Sequence, residues 1–339
     1  MKKFKLHIEP ILGALFFDLL PFVLNNMRHG GWVNIKNRKD RASKSPNGRG
    51  ITIESPWSSD LYVCKMFPVL GKYMLKKAIK DWPIKFSANQ AEYSHVDLSF
   101  IIPHRGVDRL PLLKTVIKSI LSQKDVNIEC IVVEQSLKTE TEGLPENIRK
   151  IHLPGDRGCD LWRKSWAFNE GVKVARGKIV VCHDGDIIVP EKYGLEIMKL
   201  ITEQNYDVVF PQRFLFYLSQ KSTKELIENK KAITDITPDR INQNWRGGTF
   251  AIRQEAYFTI GGFDERFSGW GGEDLEFYDR CLVLNGYRYG FIPFIHLWHP
   301  EQATKYGNGR RNNLQFFENI MSIPREKRIY QVKFQRIEN

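Results

Sequence analysis

The chain has 339 residues, with 51 Lys and Arg against 39 Asp and Glu, which gives a formal net charge of +12 with neutral histidines. Hydrophobic residues make up 42% of the chain and charged residues 27%, so the composition is globular and excludes a wholly disordered protein. Its five cysteines lack CxxC spacing, which argues against a disulfide scaffold or a zinc cage and favours a reducing compartment.

The N-terminal zone contains an apolar stretch at residues 11–24, which Asp18 and Pro21 interrupt. A bilayer span needs about 20 apolar residues, so this stretch is too short and too broken to cross a membrane. Asp18 and the lack of a small-residue cleavage site also argue against an export signal. We expect a buried or membrane-surface helix here, followed by an exposed loop or linker at residues 28–50, which are rich in Gly, Asn, Ser and basic residues.

A second helix is predicted at residues 61–80, where apolar and lysine positions alternate at near-helical spacing around breaks at Pro68 and Gly71. Its apolar face either contacts a membrane or packs against the rest of the protein. The excess positive charge of the chain fits an anionic membrane, a phosphate-bearing substrate or simply a basic surface. Nucleic acid is not expected as a partner, because the basic residues are scattered and no nucleic-acid-binding motif is present.

From residue 96 strands and helices alternate, which is typical of a mostly parallel, doubly wound sheet that binds ligands at the carboxyl ends of its strands. Apolar runs predict strands at residues 98–103, 128–133, 150–153 and 178–182. Helical periodicity predicts helices at residues 110–121, with Asp108 as the N-terminal cap, and at residues 165–176.

Two acids follow the strand at residues 178–182, as Asp184-Gly185-Asp186. Carboxylate oxygens at the carboxyl edge of a sheet suit Mg²⁺ or Mn²⁺, and such an ion can bridge a diphosphate. The tripeptide alone is also ordinary turn chemistry. Its position directly after a buried strand therefore carries the prediction of a metal site.

The segment GWGGED at residues 269–274 combines glycines, a stacking face on Trp270 and two acids that begin a helix predicted to reach residue 284. The helix dipole favours acids at such a position, but it does not explain the glycines and the tryptophan. A carboxylate at a helix start beside a mobile aromatic lid is well placed to act as a general base.

His296 and His299 lie within the segment HLWH, after a strand predicted at residues 287–292. Their imidazole nitrogens can join Asp186 around one ion. Such a mixed oxygen and nitrogen shell favours Mn²⁺ over Ca²⁺.

These motifs follow one another in an order that resembles a known family. Between residues 96 and 300 the chain carries, in turn, LSFIIPHRG, an apolar strand ending in Glu134, KSWAFNEGVKVARGKIVVCHDGD, WRGGTFAI, GGFDERFSGWGGEDLEF and HLWH. This order resembles the inverting GT-A glycosyltransferases, with features of glycosyltransferase family 2 and of the C-terminal half of the β-1,4-galactosyltransferases. The resemblance implies an α/β fold of the GT-A type, with a Rossmann-like, mostly parallel central sheet and flanking helices.

The resemblance also divides the chain and implies which residues meet the donor. The glycosyltransferase domain would span residues 95–304, between a basic, partly helical N-terminal extension (1–94) and a C-terminal helical tail (305–339). Glu134 stands where the family usually has an Asp near the nucleotide base, and Asp184 would face the ribose or the donor sugar. By position, the donor-binding residues are Pro103, His104, Arg105, Arg109, Glu134, Lys164, Asn169, Asp184, Trp245, Gly247, Gly248 and Trp270.

The metal shell and the catalytic residues are implied in the same way. Asp186 would bind the metal together with His299 and His296, although the galactosyltransferases carry Met at the position of His296. Glu273 would hold the acceptor sugar, and Asp274 would be the catalytic base.

The predicted function is therefore an inverting, metal-dependent transfer of a hexose or N-acetylhexosamine from a UDP-sugar, with Mn²⁺ or Mg²⁺ as the ion and galactose or N-acetylgalactosamine favoured. We expect a saccharide or lipid-linked saccharide as acceptor and a cytoplasmic enzyme, with peripheral contact at the inner face of the membrane as an option. The alternatives are a nucleotidyltransferase on a related fold, a non-catalytic carbohydrate-binding protein, a sugar polymerase and a nucleic-acid binder.

Overall fold

A computed structural model describes residues 8–56, 58–87, 94–155, 161–301 and 308–337. The α-helices are α1 Ile8–Gly13, α2 Leu19–Met27, α3 Tyr62–Met66, α4 Pro68–Asp81, α5 Leu110–Ile120, α6 Lys164–Lys173, α7 Tyr193–Met198, α8 Gln220–Ile227, α9 Gln254–Thr259, α10 Glu273–Arg280, α11 Asn308–Met321 and α12 Arg325–Ile337. The strands are β1 Arg41–Lys44, β2 Ile51–Glu54, β3 Leu98–His104, β4 Ile128–Ser136, β5 Arg149–Pro154, β6 Ile179–His183, β7 Ile187–Ile188, β8 Val208–Val209, β9 Gln212–Tyr217, β10 Arg240–Gln243, β11 Thr249–Arg253, β12 Gly286–Tyr287 and β13 Ile292–His296. Short 3₁₀ helices lie at Gly31–Asn34, Val107–Arg109, Ile233–Asp235 and Cys281–Val283, and π-helical turns at Ala14–Asp18 and Lys199–Glu203.

The chain divides into two compact units. The larger unit contains Lys85–Phe210, Arg246–Tyr287 and His299–Asn339, and the smaller contains Met1–Ile84, Pro211–Trp245 and Arg288–Trp298. Pro211–Trp245 and Arg288–Trp298 thus group with the N-terminal residues, while the domain boundaries at residues 94 and 304 stay predictions.

The larger unit contains a seven-stranded sheet in the order β12-β8-β11-β6-β3-β4-β5. Strands β6, β3, β4 and β5 run parallel to one another, whereas β11 is antiparallel to both β6 and β8. Every residue of β3, β4 and β6 is buried, as expected for parallel strands covered on both faces. The predicted α/β fold with a mostly parallel central sheet is confirmed.

Aromatic packing joins α6 and α10 over this sheet. The Phe263 ring stacks on Phe277 of α10 at 4.2 Å and on Phe168 of α6 at 4.9 Å between centroids. These rings belong to a buried cluster that includes Ile101 of β3 and Val180 of β6. The helices that begin at Lys164 and Glu273 are thereby fixed against the strands that precede the Asp184-Gly185-Asp186 turn.

Two local predictions in the larger unit are wrong. Asp108 lies inside the 3₁₀ turn Val107–Arg109, and the cap position of α5 is Arg109, whose side chain makes no capping hydrogen bond. The single strand expected at residues 287–292 is divided into β12 and β13. An apolar run does not by itself show where one strand ends and the next begins.

In the smaller unit β9 pairs antiparallel with β10 and parallel with β13. The helix predicted at residues 61–80 forms as α3 and α4, with Pro68 beginning α4 and Gly71 within it. Its apolar face is buried in this unit, where a side chain at Gly71 would meet Pro238 and Ile241. The basic amphipathic pattern therefore belongs to a packed helix rather than to a membrane-surface one.

The loop expected at residues 28–50 is more ordered than predicted. It contains a 3₁₀ helix and the strand β1, and its Trp32 is buried and donates a hydrogen bond to Asp81 at 2.7 Å. Four cysteines of the described ranges are buried and free, and Cys159 lies outside those ranges. Among the described residues, no helix combines the length and the hydropathy that crossing a bilayer requires.

Candidate active site

The candidate site is built at the carboxyl edge of the seven-stranded sheet. His104 ends β3 opposite Glu134 of β4, and His183 ends β6 opposite Thr249, the first residue of β11. Because β11 is antiparallel to β6, the Gly247-Gly248 segment that precedes Thr249 lies at the same edge as the Asp184-Gly185-Asp186 turn. The Asp184 N–H donates to the Gly248 carbonyl at 2.7 Å, which joins the turn to the segment before β11.

His183, which was not among the predicted site residues, supports the Asp184-Gly185-Asp186 turn. Its ring lies 2.8 Å from the Thr249 hydroxyl through Nδ1 and 2.8 Å from the Ile187 carbonyl through Nε2. Burial lowers the pKa of His183 to about 4, so the ring is neutral and can donate through Nε2 while accepting through Nδ1. In the sequence, the feature that could have indicated His183 was its position between the strand predicted at residues 178–182 and Asp184.

Lys164, at the start of α6, is surrounded by three carboxylates. Its Nζ lies 3.0 Å from Asp184, 3.1 Å from Asp274 and 3.4 Å from Glu273. The Lys164 side chain is only 14% exposed. One cation thus joins the acid after β6 to the two acids that begin α10.

The three carboxyl groups together carry more negative charge than Lys164 can balance. Burial raises the pKa of Asp184, Glu273 and Asp274, Lys164 lowers it, and neighbouring carboxylates raise it again, so each pKa lies above its ordinary value. Burial alone would lower the pKa of Lys164, but the three carboxylates raise it well above the usual value. Lys164 is therefore charged, while the acids around it are poised to accept a proton.

Glycine is needed at two positions beside Asp274. A Cβ on Gly247 would lie 2.5 Å from the Asp274 Oδ2 atom, so no larger residue fits there without moving the carboxylate. Gly272, which precedes α10, has a φ of 98°, a conformation that other residues rarely adopt. These constraints explain why glycines precede the acids of α10 and the strand β11.

Asp186, His299 and Arg109 form a second group at this edge. The His299 Nε2 atom is 3.1 Å from the Asp186 carboxylate, and the Arg109 guanidinium is 3.5 Å from that carboxylate and 2.9 Å from the His299 Nδ1 atom. Burial favours neutral His299, but the hydrogen bond and charge of Asp186 outweigh it, so the pKa of His299 is raised. The carboxylate oxygen and imidazole nitrogen form a donor set that fits Mn²⁺ or Mg²⁺, with the ion replacing the proton between them.

His104 and Glu134 are more enclosed than a nucleotide contact requires. Pro103 and His104 are buried, and burial lowers the pKa of His104 to about 4, while Arg105 is half-buried. The buried Glu134 carboxylate accepts hydrogen bonds from Ser136, Thr141 and the Glu140 N–H. Burial would raise the pKa of Glu134, but these bonds outweigh it and the pKa is lowered. Glu134 therefore shapes its own loop, and its position near the base stays a prediction.

The Asn169 side chain is held entirely by hydrogen bonds within the protein. Its side chain is fully buried, and its amide nitrogen donates to the Phe263 carbonyl at 2.9 Å and to Glu265 at 2.8 Å. Its amide oxygen accepts from the Tyr257 hydroxyl and from the Phe263 N–H. Both donors and both acceptor positions are used by the protein, so Asn169 anchors the segment that leads to α10 and has no group left for a donor substrate.

A buried ionic network that the sequence analysis missed holds α10 in place. The Arg280 guanidinium, which is fully buried, binds Glu276 at 2.7 Å and donates to the carbonyls of Ile260 and Gly262 at 2.6 Å. Arg328 of α12 binds the same Glu276 at 2.8 Å. No local pattern could reveal this network, because its partners come from three separate segments.

Three further predicted residues are Trp270, Trp245 and His296. Trp270 is 41% exposed, in the loop before α10. Trp245 is 47% exposed and belongs to the smaller unit. His296 also belongs to the smaller unit, where its ring stacks on Tyr217 at 4.4 Å between centroids. Their roles beside the sugar and the metal stay predictions.

Two curated proteins are similar to this chain over much of its length. Chondroitin synthase of Escherichia coli is 24% identical over 80% of this chain and 44% of its own length. Chondroitin sulfate N-acetylgalactosaminyltransferase 1 of Mus musculus is 23% identical over 65% of this chain and 44% of its own length. The chain thus spans less than half the length of these relatives.

Solved structures of glycosyltransferases also align with this chain. The mannosyltransferase PcManGT from Pyrobaculum calidifontis, in complex with GDP-Man and Mn²⁺, aligns with a TM-score of 0.45 and 17% identity over 78% of this chain and 76% of that one. Drosophila β1,4-galactosyltransferase 7, in complex with xylobiose, aligns with a TM-score of 0.38 and 15% identity over 65% of this chain and 79% of that one.

The sequence model of the family described as Glycosyl transferase family 2 matches residues 99–267. This match begins in β3, includes Lys164 and the Asp184-Gly185-Asp186 turn, and ends just before the glycines that precede α10. The predicted resemblance to glycosyltransferase family 2 is therefore confirmed over these residues, which make up about half of the chain.

Proposed function

We propose that this glycosyltransferase is an inverting, metal-dependent enzyme that uses a UDP-sugar as donor. It transfers a hexose or N-acetylhexosamine, with galactose or N-acetylgalactosamine favoured, to a saccharide or lipid-linked saccharide. The observation that carries the proposal is the position of Asp274, at the start of α10, in contact with the same lysine as Asp184. A group that can take a proton thus lies close to the acid that would face the donor sugar.

In this proposal Asp274 is the general base. A sugar hydroxyl is a poor nucleophile, and Asp274 removes its proton as the oxygen attacks the anomeric carbon. The attack comes from the face opposite the leaving diphosphate, so a single displacement inverts the configuration and an α-linked donor yields a β-linkage. Burial and the neighbouring Asp184 raise the pKa of Asp274 and make its carboxylate more basic, whereas Lys164 lowers this pKa.

The donor side of the proposal rests on Asp186, His299 and Arg109. Asp186 and His299 would hold Mn²⁺ or Mg²⁺, which when bound neutralises charge on the departing diphosphate. Arg109, which lies beside both side chains, adds a fixed positive charge at the same place. Glu273, whose carboxylate shares Lys164 with Asp274, would hold the acceptor sugar.

The preference for galactose or N-acetylgalactosamine has two supports. The GWGGED segment resembles that of the β-1,4-galactosyltransferases, and the names of two curated relatives refer to chondroitin synthesis. One of these names specifies N-acetylgalactosaminyl transfer. These sugars differ at only one or two positions of the ring, and the shape of the pocket decides between them. The donor sugar therefore has to be identified by experiment.

The test is a screen of UDP-galactose, UDP-N-acetylgalactosamine, UDP-glucose, UDP-N-acetylglucosamine and UDP-glucuronate. UDP release is followed with Mn²⁺, with Mg²⁺ and with EDTA, with and without saccharide acceptors. We expect one donor to give release that needs the ion and increases with an acceptor. NMR of the product then reports the anomeric configuration, for which we expect β.

The same screen separates the alternatives. A retained α-configuration, or full activity in EDTA, would contradict the proposal. A nucleotidyltransferase would release pyrophosphate from a nucleoside triphosphate and no UDP from these donors. A non-catalytic carbohydrate-binding protein would bind saccharides without releasing nucleotide under any condition.

A further inference from the structure

The helical segment at residues 8–27, formed by α1, a π-helical turn and α2, leaves one apolar side uncovered. Its exposed members lie three or four residues apart and so share a face of the helix. We name this face the apolar stripe, and its members, each between 45% and 72% exposed, are Leu12, Phe16, Phe17, Leu20, Leu24 and Met27. The opposite side, with Ala14, Asp18, Phe22 and Asn26, is buried in the smaller unit.

The apolar stripe is unlike the other amphipathic helix of the same unit. In α4 the apolar residues Met74, Leu75 and Ile79 are buried, and the exposed apolar side chains, Val69 and Tyr73, do not continue along the helix, where Lys76 and Lys80 are exposed instead. Isolated apolar residues are common on protein surfaces, but a continuous apolar face of a helix marks a contact with a partner or a membrane. The stripe therefore requires a partner that accepts large apolar side chains.

The charges around the stripe indicate what that partner is. Exposed basic side chains follow it closely in the chain, at Arg28, Arg38, Lys39, Arg41 and Lys44. The Arg38 guanidinium lies 4.0 Å from the centre of the Phe17 ring, so at least one cation directly borders the stripe.

The acids of the same region do not offset this charge. Within residues 11–54 the acids Asp18 and Asp40 are buried and Glu54 is exposed. Apolar side chains bordered by cations fit the boundary between anionic headgroups and acyl chains.

We propose that the apolar stripe docks the protein on the surface of an anionic bilayer. Phe16, Leu20 and their neighbours on the stripe enter the boundary between headgroups and acyl chains, and Arg38, Lys39 and Arg41 contact lipid phosphates. This contact goes beyond the proposed transfer reaction, because it depends on none of the residues of the candidate active site. It would hold the enzyme beside acceptors that are linked to lipid.

The test is sedimentation of the full chain with phosphatidylcholine vesicles, with and without about 30% phosphatidylglycerol. We expect binding to the anionic vesicles to be at least about tenfold tighter than to the neutral ones, and to weaken as salt is raised. The double variant Phe16→Ser/Leu20→Ser should lose at least about tenfold in binding to anionic vesicles, since it removes two large apolar side chains. Val69→Ser, at a 77% exposed apolar position of α4, is the matched control and should bind as the wild type does.

A second double variant shows whether a loss of binding comes from the docking surface or from misfolding. Lys39→Glu/Arg41→Glu leaves the stripe intact and should lose binding to anionic vesicles while binding neutral vesicles as before. Donor hydrolysis without vesicles should be unchanged in both double variants, which separates a failure of docking from a failure of the proposed reaction.

Three results would overturn the proposal. The first is wild-type protein that stays in the supernatant with anionic vesicles at low salt, and the second is a Phe16→Ser/Leu20→Ser variant that binds as well as the wild type. The third is a dimer in light scattering that this variant dissociates, without vesicle binding, since the stripe would then join two copies of the chain.

Discussion

Two groups of charges lie at the carboxyl edge of the central sheet, and they differ in how far their charges balance. Around Lys164, three carboxylates share one cation. Around Asp186, one carboxylate meets the Arg109 guanidinium and an imidazole whose pKa is raised. The first group has more carboxylates than cations, whereas in the second the Arg109 cation balances the Asp186 carboxylate.

This difference matches the two halves of a glycosyl transfer. The group around Asp186 suits a diphosphate, whose negative charge increases as it leaves. The group around Lys164 suits the acceptor, whose proton must be taken, and a sugar carbon that becomes positive. Asp184 and Asp186 are two residues apart, so one turn after β6 serves both groups. The following variants test this division, from the largest expected effect to the smallest.

Asp274→Asn tests the negative group and should have the largest effect. The amide keeps the size of the side chain but cannot take a proton, so we expect transfer to fall by about 10³-fold. Nucleotide binding, measured by calorimetry with UDP and Mn²⁺, should stay within about twofold of the wild type, since Asp274 lies outside the metal group. The control is Glu255→Gln, an exposed acid in the first turn of α9. Wild-type turnover in Asp274→Asn would remove Asp274 as the base.

Asp186→Asn tests the group around Asp186. Loss of one carboxylate ligand should weaken Mn²⁺ affinity by about 10–100-fold and reduce transfer at limiting metal to a similar degree. Unlike Asp274→Asn, this variant should also lose metal-dependent UDP binding, measured by the same calorimetry. The exposed Asp108→Asn is the matched control. If Asp186→Asn kept its UDP affinity and its Mn²⁺ requirement, the division between the two groups would be wrong.

Lys164→Met tests the connection between the acids. Lys164 lowers the pKa of Asp274 against the effect of burial, so removing it should raise that pKa further. The base is active when deprotonated, and activity is lost as the pH falls through its pKa. The acidic limb of the kcat profile should therefore move to higher pH by about one unit, with about a tenfold loss below it.

The control for this variant is Lys173→Met, on the same helix, where the lysine is 49% exposed and pairs with Glu170. Its profile should match that of the wild type. An acidic limb that moves to lower pH in Lys164→Met would contradict the assignment of Asp274 as the titrating group.

Gly247→Ala should have the smallest effect. The added methyl group would lie 2.5 Å from the Asp274 Oδ2 atom, which is too close, so the carboxylate would have to move. We expect kcat to fall by about two- to tenfold, since a small misplacement of the base reduces the rate, while KM for the donor changes little. Gly13→Ala, where the methyl group would meet no atom within 4 Å, is the comparison. Equal kcat values for the two variants would show that the contact with Gly247 does not position the base.

The sequence predicted best what depends on local pattern and on strand order. The apolar runs of β3, β4 and β6 located the sheet, and the acids after β6 lie at its carboxyl edge because parallel strands end there. Buried polar residues such as Glu134 and Asn169 were predicted less well. Their positions resemble those of ligand-binding residues, but their partners come from loops whose paths the sequence does not reveal.

The two amphipathic segments of the smaller unit show the same limit. The residues at 61–80 and at 11–24 both have apolar positions at helical spacing. The first packs that face inside the unit and the second exposes it. Periodicity shows that a helix has an apolar face, but tertiary packing decides whether the fold covers it.

The pairing of Glu276 with both Arg280 and Arg328 has a consequence for how this chain can be shortened. Asp274 is two residues before Glu276 on α10, whereas Arg328 belongs to a helix far beyond the family match. A shortened chain that ended at residue 304 would retain Asp274 but leave the buried Glu276 with one of its two cations. Helix α12 thus helps to hold the helix on which the proposed base lies, although no motif marks it as such.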